Sequence, residues 1–224
     1  MVKKINRIPT GISGLDKFIE GGFLENSVNL VSGNTGAGKT IFSMQFLKEG
    51  AEDGKKVLYL STEESIENLK DGFRLFGWNL DKLNNFRFYF LTPADLEKEW
   101  ESLVYNVIEK ENVKRLVIDS VSLIGLYYKD EYSIRKYLYE LVGSLKKRKV
   151  TTILTSEIPE RDKGSLSRYG VEEFICDGII QLQFTGMGSK FERGLIIRKM
   201  RWTNHTQDMH PFKITKEKGI VLGG

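Results

Sequence analysis

The stretch Gly33-Asn34-Thr35-Gly36-Ala37-Gly38-Lys39-Thr40 satisfies the spacing G-x-x-x-x-G-K-[ST] at every position, and no other feature constrains the fold as strongly. Its glycines let the backbone turn tightly and bring N–H groups against phosphate oxygens with no Cβ in the way. The ammonium of Lys39 is placed to reach terminal phosphates, and the hydroxyl of Thr40 to hold Mg²⁺. The helix that opens here adds the positive end of its dipole. Such a loop needs a strand before it and a helix after it. Val28-Asn29-Leu30-Val31 supplies the first, and residues 41–50 have the spacing of the second. Residues Gly33 through Thr40, with Ile41 behind them, are therefore expected to bind a nucleotide inside an α/β architecture.

Other stretches have the shape that a phosphate loop needs around it. Residues 55–61 read as a second buried strand, which ends in Thr62-Glu63-Glu64. Open α/β sheets bind ligands at the C-terminal ends of their strands. Glu63 or Glu64 is thus positioned to orient and deprotonate a water that attacks a terminal phosphate. The same residues suit a helix N-terminus, with Thr62 or Ser65 as cap and acids in the first turn. Arg115-Leu116-Val117-Ile118-Asp119-Ser120 is an apolar strand ending in an acid and a hydroxyl. Downstream of a complete phosphate loop, Asp119 is expected to share the magnesium shell with Thr40. Ser120 is either a contact of metal-bound water or an ordinary strand-end cap. Residues 151–157 form a further strand whose polar end brings Ser156 and Glu157 beside the phosphates.

Residues 65–76, 96–111 and 131–149 carry apolar side chains at helical spacing, and residues 13–20 read as a short helix. The run Lys146-Lys147-Arg148-Lys149 suits the last turn of a helix, where cations meet the negative end of the dipole. Residues 158–170 lack apolar periodicity and hold Arg161, Lys163 and Arg168. A mobile loop is expected there, either a connector or a contact for single-stranded DNA. Residues 178–184, 194–201, 212–215 and 220–222 read as strands that extend the sheet in antiparallel fashion. Arg198, Lys199 and Arg201 crowd the end of one of them, a charge density that by itself suits edge protection.

With 224 residues, 40% hydrophobic and 29% charged, the chain suits one α/β domain or two small ones. No internal repeat or low-complexity linker divides it, so one domain over residues 1–224 is expected. No apolar run approaches the roughly 18 residues that span a membrane, and no secretory signal is visible. The single cysteine, Cys176, builds no disulfide framework. These features point to a cytoplasmic protein with no membrane partner. A net charge of +4 permits a polyanionic partner without requiring one.

Several stretches together carry a resemblance. They are Thr10-Gly11-Ile12 with Gly14-Leu15-Asp16 and Gly21-Gly22, the phosphate loop, Glu63-Glu64-Ser65, Phe76-Gly77-Trp78, and Val117-Ile118-Asp119-Ser120. To these add Tyr169-Gly170-Val171-Glu172-Glu173-Phe174 with Asp177-Gly178, Lys199-Met200-Arg201 with Thr203 and His205, and Pro211-Phe212. In this order they resemble the KaiC-like branch of the RecA/RadA ATPase superfamily over almost the whole chain. The resemblance implies a RecA-type P-loop NTPase core: a mostly parallel twisted sheet flanked by helices, with antiparallel C-terminal strands. It implies ATP and Mg²⁺ as ligands, and a homo-oligomeric ring, usually a hexamer, with ATP between neighbouring subunits. It makes Glu63 and Glu64 the water-activating pair, with Glu63 as the base. Lys199 and Arg201 become cations that reach the neighbour's γ-phosphate, and His205 falls near the same nucleotide. Two departures stand out, Phe23-Leu24-Glu25-Asn26 where the family often has a Pro-x-Gly turn, and Gln207 where the clock protein has a basic residue. The expected function is an ATP-hydrolysing ring with a regulatory or signalling role and protein partners. The alternatives are a RadA/RecA paralogue binding single-stranded DNA through Arg161, Lys163 and Arg168, and a non-catalytic nucleotide-binding scaffold.

Overall fold

The computed structural model describes residues 6–159, 164–184 and 193–223. Its strands are β1 (Arg7–Ile8), β2 (Phe23–Leu24), β3 (Val28–Gly33), β4 (Val57–Ser61), β5 (Phe86–Phe90), β6 (Arg115–Asp119), β7 (Thr151–Glu157), β8 (Gly178–Phe184), β9 (Arg193–Met200), β10 (Met209–Thr215) and β11 (Gly219–Leu222). The helices are α1 (Lys39–Glu52), α2 (Ile66–Leu75), α3 (Pro93–Leu103), α4 (Ile124–Tyr127), α5 (Glu131–Lys147) and α6 (Glu172–Ile175). Nine strands form one sheet in the order β11-β10-β9-β8-β3-β7-β6-β4-β5. From β5 to β8 all neighbours run parallel, and β9, β10 and β11 add on antiparallel. This is the mostly parallel sheet with an antiparallel C-terminal extension that the sequence suggests.

Helices cover both faces, so the central strands are buried throughout rather than alternating. Along β4, Val57 and Tyr59 join one apolar cluster with Phe42, Phe46 and Leu47 of α1. Leu58 and Leu60 point the other way, into a cluster with Leu138, Leu141 and Leu145 of α5. Helix α1 is enclosed almost all round; even Ser43 and Gln45 are buried on it. Gln45 is tied in place by donating to the Lys218 carbonyl at 2.9 Å and accepting from the Ile220 amide at 2.7 Å. Helix α5 is two-sided instead, and Asp130 caps it by accepting from the Ser133 amide at 2.9 Å.

The sheet order sets the site. β3 sits in the middle between β7 and β8, and α1 carries the chain from β3 across two strands to β4. The later return through α6 enters β8 on the opposite side of β3. Connections that diverge in this way leave a crevice at the C-terminal ends of the central strands.

Some expectations need correction. Residues 13–20 hold only a 3₁₀ turn, Asp16–Ile19, because positive backbone φ at Gly14, Glu20, Gly21 and Gly22 ends any longer helix. Strand β9 lies between β8 and β10, but Arg198, Lys199 and Arg201 fall beyond the part that β10 covers, so edge protection still suits them. The pairing of β10 stops at Ile196. Residues 167–170 are held by hydrogen bonds rather than left free. The Arg168 amide donates to Ser156 Oγ at 3.0 Å, the Gly170 amide donates to Ser167 Oγ at 3.2 Å, and the Tyr169 hydroxyl accepts from the Gly125 amide at 2.7 Å. Arg161 and Lys163 lie outside the described residues. Among the described residues, no helix is long and apolar enough to cross a membrane.

Candidate nucleotide-binding site

The loop between β3 and α1 is shaped by close packing. A Cβ on Gly33 would stand 2.3 Å from the Leu182 carbonyl oxygen of β8, so only glycine fits where the loop leaves the sheet. Gly38, the residue before α1, has φ +104°, which disfavours any side chain. The Asn34 side chain clamps the loop to β8, donating to the Phe184 carbonyl at 2.8 Å and accepting from its amide at 3.0 Å. The Lys39 ammonium donates to its own loop, to the Gly33 carbonyl at 2.9 Å and the Asn34 carbonyl at 3.1 Å. Burial pulls this lysine below the ordinary lysine range, and the carboxylates of Glu157, Asp119 and Glu63 push back.

A cleft of about 370 Å³ opens over the loop; Thr35, Lys39, Thr40, Glu63, Asp119 and Glu157 line it, with Ile41 and Ile214 on its apolar side. The Thr40 hydroxyl donates to Asp119 Oδ2 at 2.9 Å. Two more hydroxyls, both buried, hold this carboxylate. Tyr59 donates to Oδ2, and Thr155 donates to Oδ1 at 2.5 Å. Burial and the adjacent Asp119 charge push the Tyr59 phenol well above its usual range, so it stays a donor. A hydroxyl and a carboxylate side by side are hard oxygen ligands of the kind Mg²⁺ takes together with phosphate oxygens and water. The donor set therefore fits magnesium, with Thr40 and Asp119 as its protein side.

The two sequence-predicted acids part company. Glu63 faces the cleft, and the Ser120 hydroxyl donates to its Oε1. Glu64 engages Ser61 through its backbone: its amide donates to Ser61 Oγ at 3.1 Å, and its carbonyl accepts from that hydroxyl at 2.6 Å. Ser65 caps α2 by accepting from the Asn68 amide at 3.3 Å, so Glu63 and Glu64 precede the cap and the acid of the first turn is Glu67. Thr62 is no cap; it is buried and bonded to the Ser120 backbone. Ser120 itself caps the next turn, accepting from the Ser122 amide at 3.1 Å.

Ser156 and Glu157 do not both face the cleft. Glu157 does, accepting from the Thr35 hydroxyl at 2.7 Å. Ser156 is fully buried and donates to the carboxylate of Glu172 at 3.0 Å. The Arg168 guanidinium stands 4.0 Å from Glu157, at the rim of the cleft.

Lys199, Arg201 and His205 sit away from the loop of their own chain. Lys199 pairs with Ile179 near the start of β8, whereas the loop abuts Phe184 at its end. Five residues of strand separate them, about 16 Å. Lys199 donates to the Glu173 and Cys176 carbonyls, both at 2.8 Å, at the end of α6. Burial, then the neighbouring Arg201, lowers its pKa. Arg201 donates to Asp177 Oδ1 at 3.2 Å and to the Phe174 carbonyl at 3.1 Å. His205 Nδ1 lies 2.8 Å from the Thr206 carbonyl oxygen.

Sequence reasoning missed two residues. Tyr59 read as strand core, and a phenol in a run of aliphatics, which needs a partner when buried, was the available signal. Arg193 lines the cleft, donates to the Gly36 carbonyl at 3.3 Å and rests 4.5 Å from the Phe184 ring. Its place at the loop end of β9 follows only from the antiparallel pairing.

A family model described as "ATPase: KaiC" matches residues 8–224. The chain belongs to the KaiC family of ATPases. A UPF0273 protein of Thermotoga maritima is 33% identical over 97% of this chain and 96% of its own length. The circadian clock protein KaiC3 of Synechocystis is 32% identical over 97% of this chain and 46% of its own length. The chain thus spans about half the length of that clock protein. A crystal structure of a KaiC-like protein from Pyrococcus horikoshii superposes with a TM-score of 0.87 at 38% identity, covering 99% of this chain and 100% of the other. This membership carries the RecA-type P-loop fold and ATP binding. It does not support the RadA alternative, whose proposed DNA contacts also fall outside the described residues or, for Arg168, beside Glu157.

Proposed function

We propose that this KaiC-family chain, one domain over residues 1–224, hydrolyses ATP with Mg²⁺ as a homo-oligomeric ring. The observation that carries the reading is Glu63 facing the same cleft as Lys39, Thr40 and Asp119. Backbone amides of residues 33–40 and the Lys39 ammonium bind the phosphates, and Thr40 and Asp119 hold the cation. Magnesium, when bound, neutralises charge on the phosphate oxygens. Glu63 takes a proton from the attacking water, the new P–O bond forms at the γ-phosphorus, and the bond to ADP breaks. Ser120, hydrogen-bonded to Glu63, orients its carboxylate.

Lys199 and Arg201 are too far from their own phosphate loop to serve it. Their place at the other end of the sheet supports the reading that they, with His205, approach the nucleotide of a neighbouring subunit. A cation supplied in trans stabilises charge in the transition state. The role we assign is regulatory, through protein partners, in line with the clock proteins among its relatives. The test is steady-state ATP hydrolysis by the purified protein with and without magnesium, and with and without single-stranded DNA, beside light scattering for its mass. Magnesium-dependent turnover by an oligomer, indifferent to DNA, is the expected outcome. Turnover stimulated several-fold by DNA at moderate salt would overturn the regulatory assignment.

A further inference from the structure

Strand β4 is aliphatic around Tyr59, whose side chain is fully buried. The ring packs beside Phe88, with centroids 5.9 Å apart, and the hydroxyl ends on Asp119 Oδ2. β6, which ends in Asp119, lies between β4 and β7. Asp119 pairs with Ser61 on one side, and Tyr59 shares the face of Ser61 two residues back. On the other side Ile118 pairs with Leu154, which brings Thr155 level with Asp119. Each flanking strand therefore supplies one hydroxyl, and the two hydroxyls take different oxygens of one carboxylate. Neither Tyr59 nor Thr155 lines the cleft, so any effect they have on a ligand passes through the residues they touch there, Asp119 for both and Thr40 as well for Tyr59.

We propose that Tyr59 and Thr155 are a pair of positioning residues that fix the plane of the Asp119 carboxylate and present it to a divalent cation shared with Thr40. The proposal rests on the assignment of Thr40 and Asp119 to the metal. An aspartate side chain rotates broadly about its last torsion. Donors on both oxygens remove that freedom. Turning the carboxylate away would take the Tyr59 hydroxyl off its acceptor in the core and leave Thr155 only the Ile118 carbonyl, at 3.4 Å. Partners behind a metal ligand set its orientation and its affinity for the ion.

The test is Mn²⁺ binding, counted as free ion by electron paramagnetic resonance, in the presence of a non-hydrolysable ATP analogue. Analogue binding in EDTA is measured beside it. Tyr59→Phe and Thr155→Val are each expected to raise half-saturating Mn²⁺ about tenfold, with analogue affinity in EDTA unchanged. Thr155→Ser keeps the hydroxyl and is expected to restore wild-type affinity. In an Asp119→Asn background, Tyr59→Phe is expected to add nothing. Unchanged Mn²⁺ affinity in the folded variants, or an equal loss in the Asp119→Asn background, overturns the proposal alone. A wild-type protein that binds neither analogue nor Mn²⁺ overturns the nucleotide-site reading and this proposal with it. Tyr59→Phe conserves volume; where melts show it unfolded, the Thr155→Val and Thr155→Ser pair decides.

Discussion

Arg201 reaches Asp177 at 3.2 Å, the carboxylate that Lys146 of α5 also reaches at 2.7 Å, so the exposed cation just past β9 is held from the neighbouring layer. Asp177 also accepts from the Val28 amide at 3.0 Å, which ties the same carboxylate to the start of β3. The arginine is thereby presented outward on a fixed base. Arg201→Ala is expected to cut turnover by roughly 10³-fold, in the range of arginines supplied in trans. Mixing it with Glu63→Gln subunits is expected to restore part of the rate, because the mixture contains sites with an intact base on one side and an intact arginine on the other. Hydrolysis assays across mixing ratios check this; a mixture no better than its parts counts against a shared site.

Glu63 and Glu64 separate in the structure, and their variants are expected to separate too. Glu63→Gln should bind ATP yet lose turnover by about 10²-fold or more, as for removal of a general base. Glu64→Gln, whose backbone rather than carboxylate meets Ser61, should stay within a few-fold of wild type. Paired nucleotide-binding and hydrolysis measurements distinguish the two.

Lys39→Ala removes the only ammonium among the described residues lining the cleft and is expected to abolish turnover and weaken nucleotide binding. Isothermal titration with ATP checks it. Full activity in the variant would remove the loop from the site.

His210 stacks on Phe18 with centroids 3.9 Å apart, and its Nε2 is buried without a partner. Burial lowers its pKa in the folded chain, with Asp208 opposing and Lys17 adding to the effect. The unfolded chain therefore binds the proton more readily, and stability falls as pH drops through about 6.5, the unfolded value. Melting temperatures between pH 8 and pH 5 should decline, and His210→Phe should flatten part of that decline.

Leu138 is fully buried in the cluster between α5 and the sheet. Leu138→Ala is expected to cost about 2–5 kcal/mol, measured by denaturant unfolding.

The phosphate loop was legible because its chemistry is local: turn, amides, lysine and hydroxyl follow one another along the chain. The strands ending in Ser61, Asp119 and Glu157 were legible for a related reason, since a buried strand flanked by turns needs no partner to be recognised. What the sequence hid depends on neighbours across the sheet. Tyr59 matters only because β6 lies beside β4, and Arg193 only because β9 runs antiparallel toward the loop. Ser156 read as a phosphate contact because its strand ends at the site, but alternation along the strand turns it to Glu172 and leaves Glu157 in the cleft. The cations at the end of β9 suited an edge, and only the topology shows that β10 stops at Ile196 and leaves that end uncovered.

Strand β9 touches its own phosphate loop at Arg193 and carries Lys199 about 20 Å further along. On the shared-site reading, an isolated chain holds parts of two reaction centres and all of neither. Specific activity would then be a property of concentration. It would collapse when the protein is diluted below its assembly constant, and it would return on concentration with no change in any single molecule.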